Sequence, residues 1–346
     1  MAKRSSRTTI HDIAGALGLN ASTVSRALND HPAVSRQTRE LIQGKAREMD
    51  YQANHIAAAL RKGRSDILGV IVPAVDRAFF ASVIRGIEEE ADREGFRVIV
   101  CQSYDSSERE RTMVETLQRL QVDGILISSA KDGKNDLEFY RRIIASGQPI
   151  QFFDNVPQEL DVPSVVINDQ QGAYAATAHL IEQGYQRIAH LRGPQHQHIY
   201  RDRFRGYLDA LRDAGRPTPP EYIVDIVSHF DSGKESFARL WSLHPRPDAI
   251  FSASDFSAAG GIKAAQSLGV RVPEDLAFIG FSNEPFTELI TPSLSSVDQQ
   301  TLTMGQRAAR RAIDTIKQRN ALDVSHERLV LSPKIILRAS SLRNAK

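Results

Sequence analysis

One cysteine, Cys101, stands in 346 residues. No intrachain disulfide can form, which excludes the disulfide-stapled secreted class and fits a reducing compartment. Cys101 is expected to pack as a small hydrophobe at the end of a strand. No apolar run is long enough to span a bilayer. Met1–Thr9 is basic and polar with no apolar stretch behind it, so neither a secretory leader nor a membrane partner is expected. The sequence also lacks a Walker phosphate loop, zinc-site spacing and a nucleophile motif placed between a strand and a helix. No metal, cofactor or catalytic residue is therefore expected. Paired acids such as Glu88 and Glu90 read as an exposed helix face.

What is present is ordinary in bulk and uneven in distribution. The length suits two or three domains; 41% apolar and 25% charged residues are typical of a globular protein. Residues 1–64 carry 11 Lys or Arg against 5 Asp or Glu, a net +6, while the remainder carries 33 against 37, a net −4. A basic head on a mildly acidic body points to a polyanionic partner for the head alone, or to a solvated basic tail.

The head reads as three helices. Thr9-Ile10-His11-Asp12 has the form of a capping box, and Ile10, Ile13, Ala14 and Leu17 follow at helical spacing. Gly18 is a stop. Asn20 is expected to cap a second helix, Ala21–Leu28, with Val24, Ala27 and Leu28 inward. Ser35 is expected to cap a third, with Thr38, Leu41, Ile42, Ala46 and Met49 on its core side. The three-residue Gly18-Leu19-Asn20 connection forces the first two helices to cross, the geometry of a helix-turn-helix. On the second helix Ser22, Thr23, Ser25 and Arg26 form a hydrogen-bonding outer face, and Arg26 suits guanine O6 and N7 in a major groove. A plain three-helix bundle with one polar face is the competing reading. After Tyr51, a run from Asn54 through Ala57 and Leu60 to Lys62 has helical character and is too short to be stable alone. As a helix it requires a partner, and Leu60 has the shape of an apolar wedge; a plain linker is the competing reading.

The runs Thr9-Ile10-His11-Asp12-Ile13-Ala14 and Ser22-Thr23-Val24-Ser25-Arg26-Ala27-Leu28-Asn29, with Val34-Ser35, Thr38-Arg39, Tyr51, Asn54, Ala57 and Leu60, resemble the LacI/GalR family of transcription regulators. The resemblance implies that Thr23 and Arg26 lie on a recognition helix, with Ala21 and Ser22 at its base-reading start. It implies phosphate contacts at Asn29, Thr9, Ser35, Thr38 and Tyr51, and a minor-groove wedge at Leu60. The chain departs from the family at Ala53, where a proline usually stands.

From Ile67 onward, strands alternate with helices. Apolar runs at Ile67–Val72, Arg97–Cys101, Gly124–Ser128, Ile150–Phe153 and Val165–Ile167 are separated by helical stretches over Phe79–Glu94 and beginning near Ser107 and Asp136. The pattern restarts with helices Gly172–Gln183, Arg201–Gly215, Gly233–Leu243 and Phe256–Gly269 between strands Arg187–Leu191, Tyr222–Val227, Ala249–Ser252 and Leu276–Ile279. The expected fold is a small all-α head on an α/β body of two lobes, each a doubly wound parallel sheet. The body resembles the periplasmic-binding-protein type I fold, which implies three crossovers between lobes, placed near Ile167-Asn168, Ser293–Val297 and Leu331–Pro333. The last long helix, Gln300–Gln318, would then return to the first lobe. The expected division is residues 1–53 for DNA binding, 54–65 as hinge, and 66–346 for effector binding and dimerisation. Its N-lobe is about 66–167 and 297–330; its C-lobe is about 168–295 and 331–342.

The same resemblance implies an effector cleft between the lobes, at the carboxyl ends of the strands. Phe79, Phe80, Asp169, Arg203 (in Arg203-Phe204-Arg205-Gly206-Tyr207), Phe230, Asp255 (after Ser254), Ser282 and Asn283 match its ligand positions. The Gly280-Phe281-Ser282-Asn283 run has serine where sugar- and purine-responsive members carry an acid. This substitution, with His196 and His198 beside Arg201, leads to the expectation of a more anionic effector, such as a sugar phosphate or sugar acid. The function implied is that of a repressor, cytoplasmic and nucleoid-associated, binding a near-palindromic operator as a homodimer under control of a sugar or sugar derivative. The alternatives are a catabolite-control regulator answering to a protein partner, and a solute-binding protein with no DNA-binding role.

Overall fold

The computed structural model describes residues 8–51, 64–134, 136–227, 229–318 and 327–343. The expected hinge, with Asn54, Ala57 and Leu60, lies outside the described residues. The chain divides into two compact units, residues 1–65 and 66–346.

The first unit holds α1 (Ile10–Leu17), α2 (Ala21–Leu28) and α3 (Arg36–Glu48). Two eight-residue helices are marginal alone, so their stability comes from a shared core. Ile13, Val24, Ala27 and Ile42 are fully buried in it, with Ala14, Val34 and Ala46 nearly so. Thr9 and Asp12 form the reciprocal capping box, and Gly18 ends α1 in the left-handed region at φ 63°, where a Cβ would be strained. Ser35 Oγ accepts from the Thr38 amide as expected. Two expectations fail. Asn20 occupies the N-cap position of α2, but its side chain makes no capping bond. Leu41 is 56% exposed, because the core of α3 is filled by Ile42 and Ala46.

The second unit contains a six-stranded parallel sheet in the order β11-β5-β4-β3-β1-β2 and a four-stranded parallel sheet in the order β7-β6-β8-β9. In the first, β1 (Ile67–Val72) lies between β2 (Arg97–Gln102) and β3 (Gly124–Ile127); β4 (Ile150–Phe153), β5 (Ser164–Ile167) and β11 (Arg328–Leu331) continue outward. Strands β3, β4 and β5 are buried along their whole length, the mark of a sheet covered on both faces. One face is covered by α4 (Ala78–Arg93) and α11 (Thr301–Lys317), the other by α5 (Ser107–Arg119) and α6 (Leu137–Ala145). Helices α4 and α11 meet through glycines. A methyl group on Gly86 would lie 2.2 Å from the Leu302 carbonyl oxygen, and one on Gly305 2.1 Å from that of Val83. Cys101 is half-buried in β2, and burial pushes its thiol pKa up.

The second sheet comprises β6 (Ile188–Arg192), β7 (Ile223–Asp225), β8 (Ala249–Ser252) and β9 (Ala277–Ile279). Helices α7 (Asp169–Glu182) and α8 (His198–Asp213) lie on one face, α9 (Phe230–Trp241) and α10 (Asp255–Ser267) on the other. The chain passes between the lobes after Ile167, between Asp298 and Thr301, and at Leu331–Lys334. The second passage is slightly later than expected, because β10 (Ser296–Asp298) still pairs antiparallel with β12 (Lys334–Ile336). Helices α7, α8 and α9 each begin three residues earlier than apolar periodicity indicates. One of these starts was legible as a cap, since Asn168 Oδ1 accepts from the Gln171 amide; at another His229 Nδ1 accepts from the Ser232 amide, a role its residue type does not signal.

Candidate functional site

The exposed surface of α2 collects the polar residues expected there. Ser22, Arg26 and Asn29 are exposed, and Thr23 and Ser25 half-buried. The Asn29 amide donates to the Ser25 carbonyl at 2.6 Å. The Arg26 side chain makes no hydrogen bond or ion pair among the described residues. Ala21 and Tyr51 pack partly against the head core. Thr9 and Ser35, both exposed, sit at the N-caps of α1 and α3, where free amides and the helix dipole favour an anion such as phosphate. Thr38 stands beside Ser35, their hydroxyls 2.8 Å apart.

In the body, a cleft between the lobes encloses about 530 Å³, counting space open to solvent. The first lobe contributes Arg77, Phe79, Phe80, Lys131 and Asp154. The second contributes Ile199, Tyr200, Arg203, Ala253–Phe256, Ser282 and Glu284, and Gln299 lies on the crossing between them. Five of the eight expected effector residues line it: Phe79, Phe80, Arg203, Asp255 and Ser282.

Arg203 is the centre of this wall. It is 4% exposed, with its guanidinium carbon 3.8 Å from the centre of the Phe281 ring. Nε donates to Asp169 Oδ1 at 2.8 Å, Nη1 to the Ala253 carbonyl at 2.9 Å, and Nη2 to Gln299 Oε1 at 3.3 Å. Asp169 therefore lies behind Arg203 as its counter-ion rather than lining the cavity. Burial pushes its carboxyl pKa up to about 6, with Arg203 pulling the other way. Asp255 is equally committed. Its two oxygens accept from Ser296 Oγ at 2.7 Å and from the Glu284 amide at 2.9 Å.

Phe230 and Asn283 do not line the cavity. Phe230 opens α9 on the surface, 37% exposed, with Lys234 over its ring. The aromatic wall on that side is Phe256, packed against Phe286. Asn283 binds Asp298 through Nδ2 and accepts from Arg338 through Oδ1. His196 and His198 line an outer chamber with Lys131 and Arg201, and burial lowers the His198 pKa, which favours its neutral form.

Glu284 also lines the cleft, at a position that no local pattern marks. Ser282 and Asn283 have φ of 131° and 52°, a strained pair for non-glycine residues. Three consecutive amides hold that turn: Ser282 donates to the Val297 carbonyl, Asn283 to Ser296 Oγ, and Glu284 to Asp255, each at 2.9 Å. The turn delivers Glu284 to the cleft, 8% exposed. Burial and neighbouring Asp255 push its pKa up to about 7. The acid that Ser282 replaces is thus supplied two residues later, which removes the ground that Ser282 gave for a more anionic effector.

A second buried acid supports the cleft from behind. Glu110 on α5 is fully buried and accepts from the Tyr140 hydroxyl, the Ala130 amide and Ser129 Oγ, fixing the loop that carries Lys131. Burial raises its pKa from 4.5 to about 7. The native state therefore holds a proton that the unfolded chain has released. This contribution is intact below about pH 4.5 and is lost as pH rises through about 7. Glu110→Gln should therefore gain about 1–3 kcal/mol over the parent at pH 8 and almost nothing at pH 4. Urea denaturation at the two pH values measures this, and parallel pH profiles would refute it.

Among known proteins, residues 9–54 match the family described as bacterial regulatory proteins, lacI family, and residues 177–341 match a periplasmic binding protein-like domain. The chain is 31% identical to the NTD biosynthesis operon regulator NtdR of Bacillus subtilis, over 96% of this chain and 99% of that one. This chain belongs to the LacI family. It is a DNA-binding transcriptional regulator, and the LacI family is one of regulators rather than enzymes. The LacI-family repressor CytR of Escherichia coli K12 is 31% identical, over 91% of this chain and 92% of its own. Among solved structures, the complex of the transcriptional regulator CelR with cellobiose is 29% identical, with a TM-score of 0.70 over 96% of this chain and 100% of that one. The lac repressor dimer bound to operator and the anti-inducer ONPF, 23% identical, shares the fold with a TM-score of 0.86, over 98% and 100% of the two chains. No helix among the described residues is long and apolar enough to cross a membrane, and none of their His, Cys, Asp and Glu side chains cluster as a metal site.

Proposed function

We propose that this LacI-family chain is a cytoplasmic, nucleoid-associated repressor. It binds a near-palindromic operator as a homodimer and responds to a sugar or sugar derivative in the interlobe cleft. Residues 1–53 form the DNA-binding part, with Thr23 and Arg26 reading bases and Thr9, Asn29, Ser35, Thr38 and Tyr51 meeting phosphates. Residues 54–65, with Asn54, Ala57 and Leu60, form the hinge, and residues 66–346 bind effector and dimerise. The observation that carries the effector half is the state of Arg203. A guanidinium has five N–H donors; three hydrogen bonds orient this one, and the two remaining donors are available to ligand hydroxyls. Effector controls DNA affinity through its differential affinity for two states of the body, and either sign follows from that linkage.

The test is selection of a duplex from a randomised pool by the full-length chain, followed by binding titrations at several salt concentrations. A near-palindrome should be selected, with log K falling linearly in log salt. A sugar that stabilises the protein should shift that affinity by about 5–150-fold, the span of typical coupling energies. Failure to enrich any sequence would defeat the DNA half; enrichment without response to any sugar would defeat the effector half.

A further inference from the structure

Among the described acids in and behind the cleft wall, one carries a carboxyl group that no protein group engages. Asp169 is bound to Arg203, Asp255 to Ser296 and the Glu284 amide, and Asp154 accepts from Ser128 Oγ at 3.1 Å with Lys131 Nζ at 3.8 Å. Ser282 Oγ accepts from Gln299 Nε2 at 3.0 Å. Glu284 is different. Its amide is held by Asp255, and its carbonyl by the Thr287 amide and hydroxyl, at 2.9 and 2.6 Å. Its carboxylate has no hydrogen-bond or ion-pair partner among the described residues, although the residue is 92% buried and lines the cavity. Its backbone is fixed by these bonds, so the carboxyl is presented to the cleft, where a ligand can supply the partners that the protein does not. Arg77, on the opposite lobe, is the cation acting on it, at a range longer than an ion pair.

We propose that Glu284 is a specificity-determining residue of the effector site, and that the effector presents hydrogen-bond donors to it, as paired hydroxyls or an ammonium group. The inference rests on the reading of the cleft as the effector site and names the ligand chemistry that cleft selects. Arg203 supplies donors to one side of the ligand and Glu284 accepts from another. Such a pair orients a ring carrying hydroxyls of both roles. An effector that placed phosphate or carboxylate at Glu284 would meet like charge or force the carboxyl to take up a proton.

The test uses the full-length chain with D-glucose, D-galactose, D-ribose, D-glucosamine, D-galactosamine and the sugar phosphates as probes, ranked by thermal shift and measured by calorimetry. Glu284→Gln keeps the shape and one acceptor but removes the charge; Glu284→Ala removes both. Both should melt at the parental temperature or higher without ligand. Hydroxyl ligands should bind Glu284→Gln about 10-fold more weakly, and amino ligands about 100-fold more weakly, because a charged acceptor is the stronger partner. Arg203→Lys separates the two layers of the argument. Loss of binding in Arg203→Lys with parental affinity in both Glu284 variants would sustain the cleft and overturn this proposal. Parental affinity in all three would overturn both, as would the absence of any binder among the probes. A sugar phosphate whose affinity rises in Glu284→Gln would also overturn it.

Discussion

Arg203→Ala is expected to abolish effector binding by more than about 100-fold and to destabilise the body by roughly 3–5 kcal/mol. Both effects follow from one geometry. Removing the guanidinium removes the two donors that no protein group engages, and it leaves Asp169, 7% exposed, without its ion-pair partner. The Ala253 carbonyl and Gln299 lose a partner at the same time. The stability loss should depend on pH in a defined direction. Burial already holds the Asp169 pKa at about 6, and Arg203 is the main influence keeping it from rising further. Without Arg203, folding at neutral pH leaves Asp169 ionised and unpaired or requires it to take up a proton. Below about pH 5 the carboxyl protonates more easily and the deficit should narrow. Chemical denaturation at pH 5 and pH 7.5, with ligand titration on the same samples, measures both effects. A variant that binds effector normally would remove Arg203 from the site. A deficit that widens on acidification would show that Asp169 is not the group left behind.

Arg26→Ala is expected to do the opposite: no measurable change in stability and a large loss of operator affinity. Arg26 is exposed on α2 and makes no side-chain hydrogen bond among the described residues, so the fold loses nothing with it. A bidentate arginine–guanine contact is worth about 1–3 kcal/mol, and a dimer on two half-sites loses it twice. Operator affinity should fall by about 30-fold or more, while binding to scrambled duplex at the same salt falls far less. Anisotropy titrations on both duplexes check it. An equal loss on both would reassign Arg26 from base reading to phosphate contact.

The secondary-structure elements and the effector-site details differ sharply in how much local sequence could say about them. Strands β4 and β8 and helix α2 fall on the residues that apolar runs and helical period indicate, because each is defined by which side chains must leave water. Caps were equally local: Thr9 with Asp12, and Ser35 with Thr38, are bonds between residues three apart. Asn20 shows the limit of that reasoning. It has the residue type and position of a cap, yet its side chain makes no capping bond.

The cleft was legible only in outline. Phe79, Phe80, Arg203, Asp255 and Ser282 reach it because each stands near the carboxyl end of a strand or in the first turns of the helix beyond, which the β–α alternation already located. Phe230 was misplaced and Phe256 overlooked because both open helices near the cleft. Only the packing of α9 and α10 decides which ring turns inward. The sequence by itself determined that a basic, capped helical head precedes two α/β lobes, since burial periodicity, capping and charge are properties of neighbours along the chain. Tertiary structure decided that Glu284 faces the interlobe cleft. Its position depends on Val297, Ser296 and Asp255, 12 to 29 residues away, whose bonds hold a backbone conformation that no local preference would choose.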